Sequence, residues 1–245
     1  MPRKAEILYP YQPDADSTTC GVLPKMRHNL PSRHCGYIVR SVDLIFKMSV
    51  VKEGIMPAID AIIVGAGGRG NAYANFAMEH PHEMRVVGVA EPDGLRRNRL
   101  VSLHDIAPNM IFEDWQALVA VDEKHPATII NCTMDRDHYA STQQLLGMGY
   151  DVLLEKPISP ILYENVKLVQ KAEATGRLLQ VCHVLRYSPF WQKLREVVQS
   201  GILGRIVSIT HRENLAYYHM AHSFVRGNWR DQATSGPMIL SKCCH

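Results

Sequence analysis

From residue 58 onward the sequence predicts an α/β fold: a parallel sheet doubly wound, with helices on both faces. Three observations carry this. Short apolar runs alternate six times with stretches of helical character. Most of those runs are apolar at consecutive positions, as strands covered on both faces are. Glycines, Asp and Ser-Pro pairs punctuate the joins, where helices begin and end.

The elements follow in order. "IDAIIVGAGGRG" reads as a strand, a glycine turn and a helix start, with the helix running from about Arg69 to Met78. "MRVVGVAEPD" is the second strand and "GLRRNRLVSL" the helix after it. "NMIFED" gives a short third strand and "DWQALVAV" a short helix. "ATIINCT" is the fourth strand, and "RDHYASTQQLLGMG" a helix closed by glycine. "DVLLEK" is the fifth strand. Ser159 is expected to cap the long helix that follows, with Pro160 in its first turn and Gly176 past its end. "LLQVCHV" is the sixth strand, and Ser188-Pro189 open the helix "FWQKLREVVQS". After Gly204 the rhythm changes: "RIVSITHREN" alternates, as a strand with one wet face does. A second domain, 185–245, is expected as the beginning of an incomplete α+β open sheet, after a nucleotide-binding domain at 58–184.

Residues 1–57 differ in kind. They hold eight Lys/Arg, five Asp/Glu and six prolines, so the whole net charge of +3 lies in them. With no sustained periodicity, they read as a disordered extension. Met48 and Met56 both closely precede the first strand, and a start at either is the alternative. Charge this small and scattered gives no reason to expect nucleic acid, and no apolar run approaches the length of a membrane span. The six cysteines form no CxxC pair and no secretory leader precedes them, which points to a reduced, cytoplasmic protein.

Gly65, Gly67 and Gly70 fit G-x-G-x-x-G between a strand and a helix. Gly65 permits the tight turn, Gly67 lets a pyrophosphate approach the backbone, and Gly70 lets helix and strand pack closely. Arg69 sits inside the same turn. Glu91 ends the second strand 21 positions after Gly70 (91 − 70), near the spacing of the acid that accepts from ribose hydroxyls. The set predicts a bound dinucleotide. An acid at that place favours NAD; Arg96 and Arg97 keep NADP open.

"YDVLLEKPIS" places Glu155, Lys156 and Pro157 at the end of an apolar strand. Together the glycine turn, Glu91, "CTMDRDH" and "LLEKPIS" resemble the Gfo/Idh/MocA family of oxidoreductases, over residues 58 to the end. The resemblance implies a Rossmann-like domain, a nicotinamide cofactor and a sugar or polyol substrate. It implies that Lys156 lies between nicotinamide and substrate and helps move the hydroxyl proton, that Glu155 orients the lysine or touches the ribose, and that Pro157 is cis. Thr133 and His138 would reach the cofactor, or His138 only cap its helix; Met134 stands where relatives have proline. Arg186 and Tyr187 would face the site, or serve domain packing.

"HMAHSFVRGNWR" supplies His222, Arg226, Asn228, Trp229 and Arg230, groups that donate to hydroxyls or stack on a sugar ring. "SGPMILSKCCH" resembles the family's second catalytic segment. His245 matches the histidine, an imidazole suited to proton transfer near neutrality, while Ser241 stands where an Asp is usual and Lys242 is the nearest replacement. Cys243, Cys244 and His245 are not expected to hold a metal, because adjacent cysteines splay apart. The resemblance further implies that relatives continue into a large sheet and form homo-oligomers, so that this chain alone would bind its cofactor weakly and turn over little. A sugar glycosidase or lyase with transient oxidation, and a non-catalytic nucleotide-binding protein, are the alternatives to a dehydrogenase.

Overall fold

The computed structural model describes residues 57–121 and 124–244. The expectations for the N-terminal extension fall almost wholly on residues 1–56, outside the described residues, and so does His245.

Six strands form one parallel sheet in the order β3-β2-β1-β4-β5-β6. They are β1 (Ile59–Val64), β2 (Met84–Ala90), β3 (Ile111–Phe112), β4 (Thr128–Asn131), β5 (Val152–Glu155) and β6 (Leu179–Cys182). The chain works outward from β1 through β2 to β3, then returns and works outward from β4 to β6. Right-handed crossovers therefore put the helices of the two halves on opposite faces. Burial agrees. Ile62, Ile63 and Val64 are successive and all fully buried, although neighbours in a strand point to opposite faces. Leu154 and Ile129 continue this double-sided core into β5 and β4. Each such side chain contributes about 1.5–3 kcal/mol by leaving water.

The helices are α1 (Gly68–Glu79), α2 (Gly94–His104), α3 (Trp115–Val119), α4 (His138–Gly147), α5 (Leu162–Thr175) and α6 (Pro189–Gln199). Asp93 caps α2 by accepting from the amides of Leu95 and Arg96 at 2.9 and 3.0 Å, and Asp114 caps α3 through Ala117 N at 2.7 Å. Gly176 ends α5 with φ 64°. Ser159 acts differently from expectation. Helix α5 begins at Leu162, and the Ser159 hydroxyl accepts from Ile161 N at 3.1 Å while donating to Glu164. The serine braces the approach to the helix from three residues upstream.

The expected strand at 205–214 does not form; these residues carry no regular structure and lie almost wholly exposed. Alternation gives a strand two faces but no neighbour, and no extended segment among the described residues lies beside it to complete a ladder. Beyond it the chain is helical in short pieces: α7 (Tyr217–His219) runs into a π-helical stretch, Met220–Val225, a 3-10 turn covers Asn228–Arg230, and α8 spans Met238–Cys243. No helix among the described residues is long and apolar enough to cross a membrane.

Candidate functional site

Because every strand is parallel, the residues after β1, β2, β4, β5 and β6 gather at one edge of the sheet. The glycine turn lies at its middle. Gly65 has φ 90°, and a side chain there would put Cβ 2.6 Å from the carbonyl oxygen of Cys132. At Gly70 a Cβ would lie 2.1 Å from the Gly65 oxygen. Gly67 faces the other way, with nothing within 4 Å of where its Cβ would be. Gly67 is also the N-cap of α1, which has no side-chain cap and no acid in its first turn. Open space thus meets bare helix-end amides, the cradle an anionic pyrophosphate requires.

Glu91 closes one side of this cradle. Its carboxylate is 5% exposed and accepts from Ala66 N at 2.5 Å and from Asp93 N at 2.9 Å. It ties the β2 end to the glycine turn and keeps further lone pairs for hydroxyl donors. The two arginines behind it are engaged: Arg97 donates to the Glu91 carbonyl at 2.5 Å, and Arg96 stands 3.8 Å from Asp93.

After β4, Asn131 is fully buried and organises the loop. Its amide donates to Ser141 and Thr142 in α4, and its oxygen accepts from the amide and hydroxyl of Thr133 at 3.2 and 2.9 Å. The Thr133 hydroxyl is therefore turned back into the protein. His138 departs from both sequence expectations. It is 1% exposed, with Nδ1 2.6 Å from the Pro157 oxygen and Nε2 3.1 Å from the Thr133 oxygen. With both ring nitrogens committed, it neither faces the open edge nor caps α4; it fastens the β4 end to the β5 end.

After β5, Glu155 is 6% exposed and receives Arg69 Nε at 2.8 Å and the Tyr73 hydroxyl at 2.9 Å. Its second oxygen accepts from Lys156 N at 3.1 Å. The residue of the glycine turn and the residue before the lysine thus form one ion pair. Burial works against the Arg69 charge, but the Glu155 carboxylate outweighs it and holds the guanidinium above its ordinary range. Burial also raises Tyr73, with its contacts to Cys182 and Glu155 adding to the effect. Cys132 and Cys182 are pushed up chiefly by burial, so both stay thiols at neutral pH. The Lys156–Pro157 peptide is cis. Lys156 is partly buried and its amine donates to the carbonyl of Ser241.

The remaining residues cluster less tightly. Arg186 and Tyr187 lie in the 3-10 turn directly after β6, at the same edge, and Tyr187 is 44% exposed. His222 stacks on Tyr218 at 5.6 Å. The Trp229 indole donates to Asp135 at 3.1 Å, which removes its N–H from the solvent side. Arg230 lines an open cavity of about 450 Å³ together with Met134, Arg136, Asp137, Asn228 and Asp231. Lys242 pairs with Glu213 at 3.4 Å.

Four contributors carry no sequence signal of their own: Asn131, Tyr73, Asp135 and His219. The last is held below the ordinary imidazole range by partial burial, with the charges of Lys242 and Lys156 adding to it. At the opposite edge of the sheet His80, His82 and Glu83 bring three ligand atoms within 4.8 Å of one another.

Comparison with known proteins bears on this edge. The family described as "Oxidoreductase family, NAD-binding Rossmann fold" (Gfo/Idh/MocA) matches residues 59–183, more than half of the chain. Among curated proteins, YteT of Bacillus subtilis is 31% identical over 121 residues, 49% of this chain and 28% of that protein. Inositol 2-dehydrogenase 4 of Saccharopolyspora erythraea is 27% identical over 153 residues, 61% of this chain and 44% of its own. The chain spans less than half the length of these relatives. An NAD-binding protein of Listeria innocua superposes with a TM-score of 0.60 at 20% identity, covering 76% of this chain and 52% of that one, which shows the shared fold. The strand order, the bare glycine turn and the matched residues lead to one conclusion: the chain belongs to the Gfo/Idh/MocA family of oxidoreductases, with an NAD-binding Rossmann fold.

Proposed function

We propose that this chain carries the coenzyme-binding half of a dehydrogenase acting on a carbinol carbon of a sugar or polyol. The observation that carries the reading is the 2.8 Å pair of Arg69 with Glu155. It joins the phosphate cradle to the strand end that bears Lys156, so both halves of a coenzyme-plus-substrate site belong to one structure. Gly67 and the first amides of α1 would hold the pyrophosphate, and Glu91 the adenosine ribose. Arg69 and Glu155 would border the nicotinamide end. NAD, when bound, supplies the hydride acceptor.

Lys156 does the work proper to the protein: its ammonium orients the substrate hydroxyl and takes part in carrying its proton. To do so it exchanges the Ser241 carbonyl for the substrate oxygen, a trade of one hydrogen bond for another. Arg136, Arg230, Asp137, Asp231 and Asn228 line a cavity with balanced charge, donors and acceptors together, which suits neutral polyhydroxylated molecules. The inositol dehydrogenase among the relatives supports that class. Arg186, Tyr187 and His222 complete the proposed substrate side, and His245 is kept as a second proton carrier. Residues 58–184 and 185–245 are proposed as the coenzyme and substrate domains. A reducing, cytoplasmic setting belongs to the same proposal, supported by the unpaired thiols of Cys132 and Cys182.

A second reading is favoured by one contact. The Lys156 amine already has a partner in Ser241, as it would in a protein that binds the nucleotide without turnover. Isotope transfer separates the two. The chain is incubated with NAD and polyols deuterated at their carbinol carbons, and the NADH is analysed by mass spectrometry. Deuterium in NADH, falling about 100-fold in Lys156→Ala while NADH binding persists, supports the dehydrogenase. NADH binding, titrated separately, with no deuterium transferred to NAD from any polyol supports the second reading, and absence of NADH binding sinks both.

A further inference from the structure

The loop after β4 contains a carboxylate that the coenzyme reading does not use. Asp135 is 3% exposed, although it lies in a loop with Asp137 and Arg136 beside it. A carboxylate removed from water is costly unless donors replace the solvent. Two donors do so, and both come from far along the chain. Trp229 Nε1 donates to Oδ1 at 3.1 Å, and the Ser241 hydroxyl donates to Oδ2. Ser241 is itself 8% exposed, and its own carbonyl is the acceptor for the Lys156 amine. One residue, Ser241, therefore links a buried acid to the lysine at the centre of the edge.

Neighbouring contacts point the same way. Arg136 donates to the Gln232 carbonyl at 3.2 Å. Ser235 is fully buried, and a Cβ at Gly236 would come within 2.9 Å of Pro160, just past β5. The segment 228–241 is seated on the β4 and β5 ends at several points, and Asp135 accepts from both its 3-10 turn and α8. The charges of Asp135 and Lys156 oppose each other at Cys244: burial raises this thiol, Lys156 lowers it and Asp135 raises it. Both charged groups therefore stand near the same side chain.

We propose that Asp135 is the positioning residue of Lys156: by holding Trp229 and Ser241 it seats α8 on the edge of the sheet and so fixes where the lysine amine points. The functional meaning of this clamp rests on the dehydrogenase reading; the clamp itself is read without turnover. The full chain is treated briefly with an acetylating reagent, and acetylation of Lys156 is quantified by peptide mass spectrometry against that of the exposed Lys193. In Asp135→Ala, Lys156 reacts about tenfold faster relative to Lys193, because the segment that covers it opens. Asp135→Asn keeps most of the protection, since its oxygen still accepts from Trp229 and its amide still reaches Ser241. Ser241→Ala, which loses only the hydroxyl, falls between the two. An unchanged Lys156 ratio in folded Asp135→Ala overturns the proposal; should that variant not fold, an unchanged ratio in Ser241→Ala does so. A parallel NADH titration of the unaltered chain tests the coenzyme reading alone, and its failure leaves the clamp standing.

Discussion

At the scale of single residues, Gly70 is the position with least tolerance. A methyl group there would stand 2.1 Å from the Gly65 oxygen, and a main-chain carbonyl cannot rotate away as a side chain would. The start of α1 must move off the turn instead. Gly70→Ala is expected to lower stability by about 1–3 kcal/mol in urea unfolding. It is also expected to weaken NADH binding by at least about tenfold in a fluorescence titration, because the amides that face the phosphate move with the helix. Wild-type NADH affinity in this variant would show that the cradle lies elsewhere. The glycine turn and Glu91 were legible from sequence because their spacing is local: a strand end, a turn and a helix start within a few residues. Asp135 and Ser241 were not, because 106 positions separate them and only the folded chain makes them neighbours. His138 is a related case. Its place at the edge followed from sequence, but its orientation depends on the Pro157 and Thr133 carbonyls.

At the scale of elements, the last turn of α2 carries a pH response. His104 is the final residue of that helix, and its Nε2 is buried without a hydrogen-bond partner. Burial holds the imidazole below its ordinary value of 6.5. The sign follows from linkage. Below pH 6.5 the unfolded chain takes up a proton that the folded one resists, so stability is full above this pH and declines as pH falls towards the lowered folded value. The urea midpoint of the wild type is expected to drop more between pH 7.5 and 5.5 than that of His104→Gln. Equal drops would remove His104 from the account. Elements were read from sequence with uneven success for a physical reason. Runs such as Ile62–Val64 state their burial on both faces directly. "RIVSITHREN" states only a pattern, and a strand also needs a neighbour's amides and carbonyls, which a pattern does not supply. Ser159 and Pro160 stand just upstream of the helix they were expected to cap and open, because α5 starts only at Leu162.

At the scale of the whole molecule, apolar surface is unevenly placed. Phe190, Ile202, Val207 and Ile209 are all more than 60% exposed, gathered within a short stretch of chain. Surface of this kind lowers solubility. Replacing Val207 and Ile209 together by lysine is expected to raise the soluble concentration of the purified chain, measured after ultracentrifugation, without changing its unfolding free energy from urea titration by more than about 0.5 kcal/mol. A fall in that free energy would mean that these side chains are packed in solution.

The strand order has a consequence for how the protein is made. No ladder joins near neighbours in the chain: the separations run from 22 residues, Val89 to Ile111 (111 − 89), to 67, Ala61 to Thr128 (128 − 61). The ribosome delivers β1 first, yet β1 ends up at the middle of the layer, flanked on one side by a strand made much later. Until β4 emerges, β1 keeps one edge open to any passing partner, so nascent chains are at their most vulnerable before the central seam is sealed.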